Sequence, residues 1–112
     1  MATVQDCREA LEKLAERLAA NAAAARKRLD LDRTLACRLS DLGVAFHGRL
    51  TGGQLLDIQE GDDKSAKIAL TTTSDDLVAL VRGELDFARA LGARRVSISA
   101  SPFDLLKLRK LL

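Results

Sequence analysis

Side chains able to do covalent chemistry or to bind a metal are few in this sequence, and they do not cluster. There is one histidine, His47, and there are two cysteines, Cys7 and Cys37, without a Cys-x-x-Cys or Cys/His group. No Gly-x-Ser-x-Gly segment offers a nucleophile for a serine–histidine–aspartate relay. We therefore expect no catalytic residue, no metal site and no cofactor, and we expect both thiols to be buried and reduced.

Two pairs of adjacent carboxylates are the remaining candidates for acid–base chemistry or cation binding. Asp62-Asp63 lies in the polar segment 59–65, which lacks the alternating ligands and the final Glu of a calcium loop. Asp75-Asp76 stands where a helix is predicted to begin, and the helix dipole accounts for negative charge there. Gly52-Gly53 is not a phosphate loop, because no Gly-Lys-Ser/Thr follows it.

The helices that must position these residues follow from the periodicity of apolar side chains. Between residues 3 and 29 these side chains recur three and four positions apart, which predicts an amphipathic helix. The Arg26-Lys27-Arg28 cluster near its end is expected to be solvated, where cations meet the negative pole of the helix. Capping residues predict three more helices, which begin after Thr73 or Ser74, after Asp86 and after Ser101, and which end at Gly83, Gly92 and Leu112.

Alternation of apolar and polar side chains predicts five strands, at residues 34–39, 42–50, 55–58, 66–72 and 95–100. Ser40-Asp41 joins the first two strands as an antiparallel hairpin, and Gly52-Gly53 allows the positive φ angles of the next tight turn. The alternation places His47 opposite Phe46, on the solvent face. The order of one helix, four strands, two helices, one strand and one helix predicts an α+β domain with helices over one face of the sheet.

Length and composition predict one domain over residues 1–112, 47% hydrophobic and 30% charged. A net charge of +2 and three phenylalanines without Trp or Tyr are too little for a nucleic-acid surface, so we expect no nucleic-acid partner. No run reaches the roughly twenty apolar residues that span a bilayer. The N-terminal residues lack the pattern of a secretion signal, which predicts a cytoplasmic location.

The second half of the sequence carries the most specific pattern. From Ala66 a predicted strand is followed by an acidic helix start, an apolar helix ending in glycine, a short helix with a Phe-Ala pair, another glycine, a strand and a last helix. This succession resembles the sterol carrier protein type 2 family, and it looks most like the small single-domain versions found in actinobacteria. The matching positions are Ser74, Asp75, Asp76, Leu77, Gly83, Phe87, Ala88 and Gly92.

The resemblance implies a five-stranded, mostly antiparallel sheet with helices packed on one face and a hydrophobic tunnel between the two layers. It also implies non-covalent binding and transfer of a sterol, a fatty acid or a fatty acyl-CoA, without catalysis. We expect the lipid to contact Phe46, Leu77, Leu80, Val81, Phe87, Ile98, Phe103 and Leu106. For each of these side chains, plain core packing is an equal alternative.

The sequence departs from the family pattern at two places. It ends in Lys110-Leu111-Leu112 where eukaryotic members carry a Ser-Lys-Leu type signal, which argues against a peroxisomal location. Ser99-Ala100-Ser101 stands where the family often has a glycine after the last strand. The mouth of the tunnel is therefore expected to have a different shape.

The predicted terminal helix contains more leucines than one packed stripe needs, with basic residues among them. This composition suits transient contact with an anionic membrane or a lid over the tunnel, and a core helix with snorkelling lysines is the alternative. A second hypothesis for the whole chain is a structural or protein-interaction domain with a filled tunnel and this helix as its interface. A catalytic accessory role has the least support, and the oligomeric state is left unpredicted.

An empty tunnel would be costly for a chain of this size. An apolar cavity of ~300 Å³ costs on the order of 7 kcal/mol at roughly 24 cal/mol per Å³, which rivals the whole stability of a domain. We therefore expect the space either to hold a lipid or to be largely collapsed.

Overall fold

The computed structural model describes residues 2–20 and 32–109, with side chains to residue 106. Within these ranges four helices and five strands follow one another in the predicted order. They are α1 (Val4–Ala20), β1 (Asp32–Leu39), β2 (Val44–Thr51), β3 (Gln54–Glu60), β4 (Ile68–Thr72), α2 (Ser74–Arg82), α3 (Phe87–Gly92), β5 (Ser97–Ser99) and α4 (Pro102–Arg109).

The five strands form one sheet in the order β3-β2-β1-β4-β5. β1 and β4 pair in parallel, and every other neighbouring pair is antiparallel. The parallel pair arises because the chain leaves the edge strand β3 and re-enters the sheet on the far side of β1. The predicted α+β class with a five-stranded, mostly antiparallel sheet is confirmed.

One face of the sheet carries the main core. The register pairs Cys37 of β1 with Phe46 of β2, so these two side chains lie on the same face. α1 and α2 pack on this face and against each other, and burial of apolar surface fixes them there. The buried members of this cluster are Cys7, Ala10, Leu11, Cys37, Leu39, Phe46, Leu77 and Val81.

The predicted helix caps are largely confirmed. Thr73 and Asp86 each accept a hydrogen bond from a backbone N–H in the first turn of their helices, at 3.3 and 3.2 Å. α2 ends at Gly83, whose φ of 78° is left-handed. The prediction that Gly92 closes α3 is wrong, because the helix includes this residue and its C-cap is Ala93.

Several predicted boundaries differ from the observed ones. β2 begins at Val44 rather than at residue 42, because residues 40–43 form a turn that Gly43 completes with a φ of 64°. β3 is longer than predicted, whereas β4 and β5 are shorter. Predictions for residues 21–31 and 110–112, including the basic cluster at 26–28, lie outside the described residues.

The pairing of β2 with β3 contains an irregularity beside the core. The register shifts between His47 and Arg49, and Asp57 takes a positive φ of 56°. Gly48 lies in this stretch, where a Cβ atom would come within 2.9 Å of the backbone oxygen of Leu56. The close approach of the two strands therefore requires glycine at position 48.

A buried serine ties the turn between β1 and β2 to the start of α2. The backbone N–H of Ser74 donates to Asp41 Oδ1 at 2.8 Å, and the Ser74 hydroxyl donates to Asp41 Oδ2. These hydrogen bonds, above all the one from the hydroxyl, hold the pKa of the Asp41 carboxyl below its ordinary value of 3.8. The charge on Asp41 therefore helps to hold α2 against the sheet.

We expect the variant Asp41→Asn to melt at a lower temperature than the wild type at neutral pH. We also expect its stability to change less as the pH is lowered. The folded-state pKa of Asp41 is depressed, so its contribution to stability is complete above the unfolded-state pKa and is lost as the pH falls through the folded-state pKa. Melting curves by circular dichroism should therefore lose less stability below about pH 4 in the variant than in the wild type. Equal losses in the two proteins would contradict this role.

Candidate functional site

An apolar cleft lies between α1 and the half of the sheet formed by β1, β2 and β3. Leu11 of α1 forms one wall, and strands β1, β2 and β3 form the other. The lining residues are Leu11, Leu35, Cys37, Phe46, His47, Gly48, Leu55 and Ile58. The cleft contains no lysine, arginine or carboxylate among these residues, which makes it a place for an apolar group.

The cleft is a narrow groove, closed only in the sense that its walls leave no room for a ligand. Its volume is about 10 Å³, which is no more than one water molecule requires. A site for a lipid chain needs ~300 Å³ or more. Side chains or helices must therefore move apart before a chain can enter, and the structure corresponds to the collapsed arrangement that the cavity energy favours.

The apolar floor of the cleft continues along the sheet beyond α1. Leu35, which lines the cleft, also packs against a second cluster formed by Leu50 and Ile68. Ile98 of β5 and Ala100 extend this cluster toward the sheet edge. An apolar strip thus runs across all five strands on the face that bears the helices.

The structure brings three of the predicted lipid-contacting residues together in the main core. Phe46 is 1% exposed and lines the cleft, and Leu77 and Val81 of α2 belong to the same buried cluster. Ile98 instead lies in the second cluster. The prediction that these side chains contact a lipid remains a prediction.

The other predicted lipid-contacting residues lie outside both clusters. Leu80 and Phe87 are half-buried. Phe103 and Leu106 of α4 are 78% and 58% exposed, so they do not line the closed cleft. Two adjacent turns of α4 thus present large apolar side chains to solvent.

A buried carboxylate anchors the start of α4. Asp104 is 3% exposed and its Oδ2 lies 3.1 Å from Nε of Arg33, while its Oδ1 has no hydrogen-bond partner among the described residues. The hydroxyl of Ser101 caps the helix by accepting from the backbone N–H of Asp104 at 3.2 Å. A polar contact therefore fixes the start of this helix at the beginning of β1, while Phe103 and Leu106 stay exposed.

Sequence reasoning missed four apolar residues that line the cleft, namely Leu11, Leu35, Leu55 and Ile58. The signal for each was present, because all four lie in the apolar periodicity of their elements. Periodicity identifies a buried face but not the element that packs on it. The packing of α1 over β1, β2 and β3 is what brings these four together.

The two cysteines meet in the main core although they are far apart in the sequence. Burial raises the pKa of Cys7 to about 11, and the negative charge of Asp41 adds to this shift. Burial likewise raises the pKa of Cys37, which lines the cleft, to about 12. Neither thiol forms a disulfide, as expected. Both are held in the neutral form, in which they are poor nucleophiles.

We expect both thiols to resist alkylation in the folded protein at mildly alkaline pH. Alkylation needs an accessible thiolate. Burial keeps the reagent away from the sulfur, and it keeps the thiol protonated by raising its pKa. Labelling with iodoacetamide, followed by intact mass measurement, should be slow for the folded chain and complete within minutes in guanidinium chloride. Equal rates in the two conditions would mean that the core opens far more readily than the structure indicates.

His47 and the acidic pairs do not combine into a cluster of metal-ligating side chains in the described part of the chain. The register pairs Phe46 with Cys37 and His47 with Ala36, so their side chains leave the strand on opposite faces, as predicted. His47 nevertheless borders the cleft, beside the register shift of β2 and β3, and it is half-buried rather than turned to solvent. Its Nδ1 is 3.0 Å from the backbone oxygen of Gly61. No group of three or more His, Cys, Asp or Glu side chains among the described residues could hold a metal ion.

A second depression, between α1 and α2, has a different chemistry. It measures about 410 Å³ and is open to solvent. Its rim carries charged side chains, among them Asp6, Glu9, Lys13 and Arg82. Such a groove does not suit an apolar chain.

No described helix is both long enough and apolar enough to cross a membrane.

Fold and cleft together define a small α+β domain with an apolar strip on the sheet face that bears the helices. The chain matches the model of the SCP-2 sterol transfer family over residues 9–112. It belongs to this family, as the pattern from Ala66 onward indicated. A comparison with curated proteins finds no match.

Solved structures of sterol carrier proteins share the fold. Sterol carrier protein 2 from Aedes aegypti in complex with palmitate is 22% identical, with a TM-score of 0.65 over 98% of this chain and 96% of that one. Sterol carrier protein 2 like 2 from the same organism is 20% identical, with a TM-score of 0.61 over 94% of this chain and 98% of that one. These likenesses establish the fold.

The same fold also occurs inside a larger enzyme. A sec-alkylsulfatase from Pseudomonas sp. is 21% identical to this chain, with a TM-score of 0.58 over 74% of this chain. The matched part is only 13% of the sulfatase. The likeness therefore concerns one region of that enzyme and not its activity.

Proposed function

We propose that the protein binds one apolar lipid chain non-covalently between α1 and the sheet and transfers it unchanged, with the cytoplasm as its location. The observation that supports this most directly is the apolar strip from the cleft to Ile98, which lacks charged side chains in both its clusters. Palmitate in a complex of a related fold from Aedes aegypti supports a fatty acid as the ligand class.

Binding in this proposal requires the closed cleft to open. The lipid replaces contacts between Leu11 and the strands with contacts to its own methylenes, each of which contributes about 0.8 kcal/mol when buried. Opening without a ligand would leave a costly void, so the closed and the lipid-filled states are the two favourable ones. Leu77, Leu80, Val81, Phe87 and Ile98 are the side chains that we propose the bound lipid meets in addition to Phe46. Phe103 and Leu106 are exposed in the closed state, and we propose that the lipid meets them only as it passes to or from a membrane.

We expect palmitate to bind with one-to-one stoichiometry and to raise the melting temperature. A ligand that binds only the folded state stabilises it by about 2.7 kcal/mol at a concentration one hundred times the Kd. Native mass spectrometry gives the stoichiometry, and circular dichroism gives the melting temperature, since the chain has no Trp or Tyr for fluorescence. A bare mass and an unchanged melting temperature with fatty acids, acyl-CoA and sterols would refute the proposal.

Leu55 and Leu56 provide a matched pair of variants for locating the site. Leu55 is 6% exposed and lines the cleft, whereas its neighbour Leu56 is 42% exposed and does not. We expect Leu55→Asn to weaken palmitate binding at least tenfold, because a polar amide in the lining has no partner when the chain enters. Leu56→Asn should leave the Kd unchanged. An equal effect of both variants, in proteins shown to be folded, would place the site elsewhere.

The exposed apolar side chains of α4 support a proposed contact with membranes during lipid exchange. Phe103 and Leu106 are mostly exposed, and the buried Asp104 fixes the start of the helix through Arg33. Such side chains can enter the boundary between headgroups and acyl chains.

We expect the double variant Phe103→Ser, Leu106→Ser to slow palmitate transfer between anionic vesicles severalfold while the Kd in solution stays the same. The reason is that the variant loses apolar area for the membrane but no residue of the closed cleft. Stopped-flow transfer of a labelled fatty acid measures the rate. Unchanged transfer would contradict the membrane contact, and loss of binding in solution would favour the lid role instead.

A further inference from the structure

An arginine of α1 stands at the rim of the apolar cleft. The guanidinium carbon of Arg8 lies 5.5 Å from the ring centroid of Phe46, within the range of a cation–π contact. Phe46 is a wall of the cleft, and Leu11, one helical turn beyond Arg8, is the wall contributed by α1. Arg8 thus contacts the lining without being part of it.

Arg8 forms a weak ion pair with Glu60. Nη2 of Arg8 lies 3.7 Å from Oε1 of Glu60, and the two side chains are 36% and 52% exposed. An ion pair this long and this accessible to water contributes little to stability. A guanidinium has five N–H donors, so one carboxylate at this distance leaves capacity for a second anion.

Charge and shape together indicate a particular kind of ligand. The cleft offers apolar walls, and its rim offers a cation positioned by an aromatic ring. An amphiphile with a straight apolar chain and a carboxylate end matches both features, because the chain can lie between Leu11 and Phe46 while the carboxylate meets Arg8. A neutral lipid uses the walls but gains no charge-assisted hydrogen bond.

We propose that Arg8 is the anchor for the ligand's headgroup and that it makes the protein selective for fatty acid anions over neutral lipids of the same chain length. The proposal rests on the function proposed above and adds the ligand class. Phe46 orients the guanidinium, and Glu60 competes with the ligand carboxylate for it. Removal of Glu60 therefore strengthens binding of the acid, and removal of Arg8 weakens it.

The test compares palmitate with 1-hexadecanol, which has the same chain and no charge, by titration in native mass spectrometry. Arg8→Gln should bind palmitate about tenfold more weakly, as expected for loss of one partly solvated charge-assisted hydrogen bond, and should bind hexadecanol unchanged. Arg8→Lys should retain part of the preference. Glu60→Gln should strengthen the binding of palmitate and leave the binding of hexadecanol unchanged. Lys13→Gln, on the same helix at the α1–α2 groove, should change neither affinity.

The outcomes separate the anchor from the binding function. If Arg8→Gln loses affinity equally for both ligands, or for neither, Arg8 is not the headgroup anchor. The proposed binding function would be unaffected by that result. Failure of the wild type to bind either ligand would refute the proposed function and the anchor with it. Melting curves of each variant check the fold, since Arg8 also packs on Phe46.

Discussion

The packing of α1 onto the β1–β2 hairpin is the contact on which the rest of the structure depends. Cys7 and Leu11 meet Cys37 and Phe46 there, and Leu77 of α2 joins them from the other side. Removing these side chains from water is the main gain that offsets the ordering of the helices. This single layer of contacts sets the positions of Leu11 and Arg8, the side chains of α1 that lie near the cleft.

The same packing explains why the cleft is narrow rather than open. A sheet face that is apolar across five strands offers more surface than α1 and α2 cover within the main cluster. Open space over that surface would be unfavourable, so the side chains close to about 10 Å³. A lipid chain offers equivalent contacts at low cost, since it replaces one apolar neighbour with another. In the proposed function, the closed and the lipid-filled states both satisfy the same requirement, that the apolar surface be covered.

Polar groups are placed where they restrict this exchange. Ser74 and Asp41 fasten α2 to the hairpin turn, and the buried Asp104 fastens α4 to β1 through Arg33. α1 is tied to α2 by two hydrogen bonds, one from the Arg17 guanidinium to the backbone oxygen of Val81 and one from the Cys7 thiol to that of Ser74. Toward the strands, Arg8 faces the accessible Glu60 and Leu11 makes the apolar contacts that border the cleft. These apolar contacts are the ones that the proposed lipid chain would replace.

The sequence by itself determined the order of elements, the fold class and the helix caps. Each of these depends on local signals, namely the periodicity of apolar residues, Thr73 and Asp86 as caps, and Gly83 as a terminator. The resemblance from Ala66 onward added the family. Only the tertiary structure decided which buried residues line a cleft and which fill the core. Leu77 and Leu11 have the same apolar signal, yet only Leu11 borders the cleft, because that distinction depends on the element packed opposite. The same holds for Arg8, whose position over Phe46 arises from residues 38 positions apart that no local pattern joins.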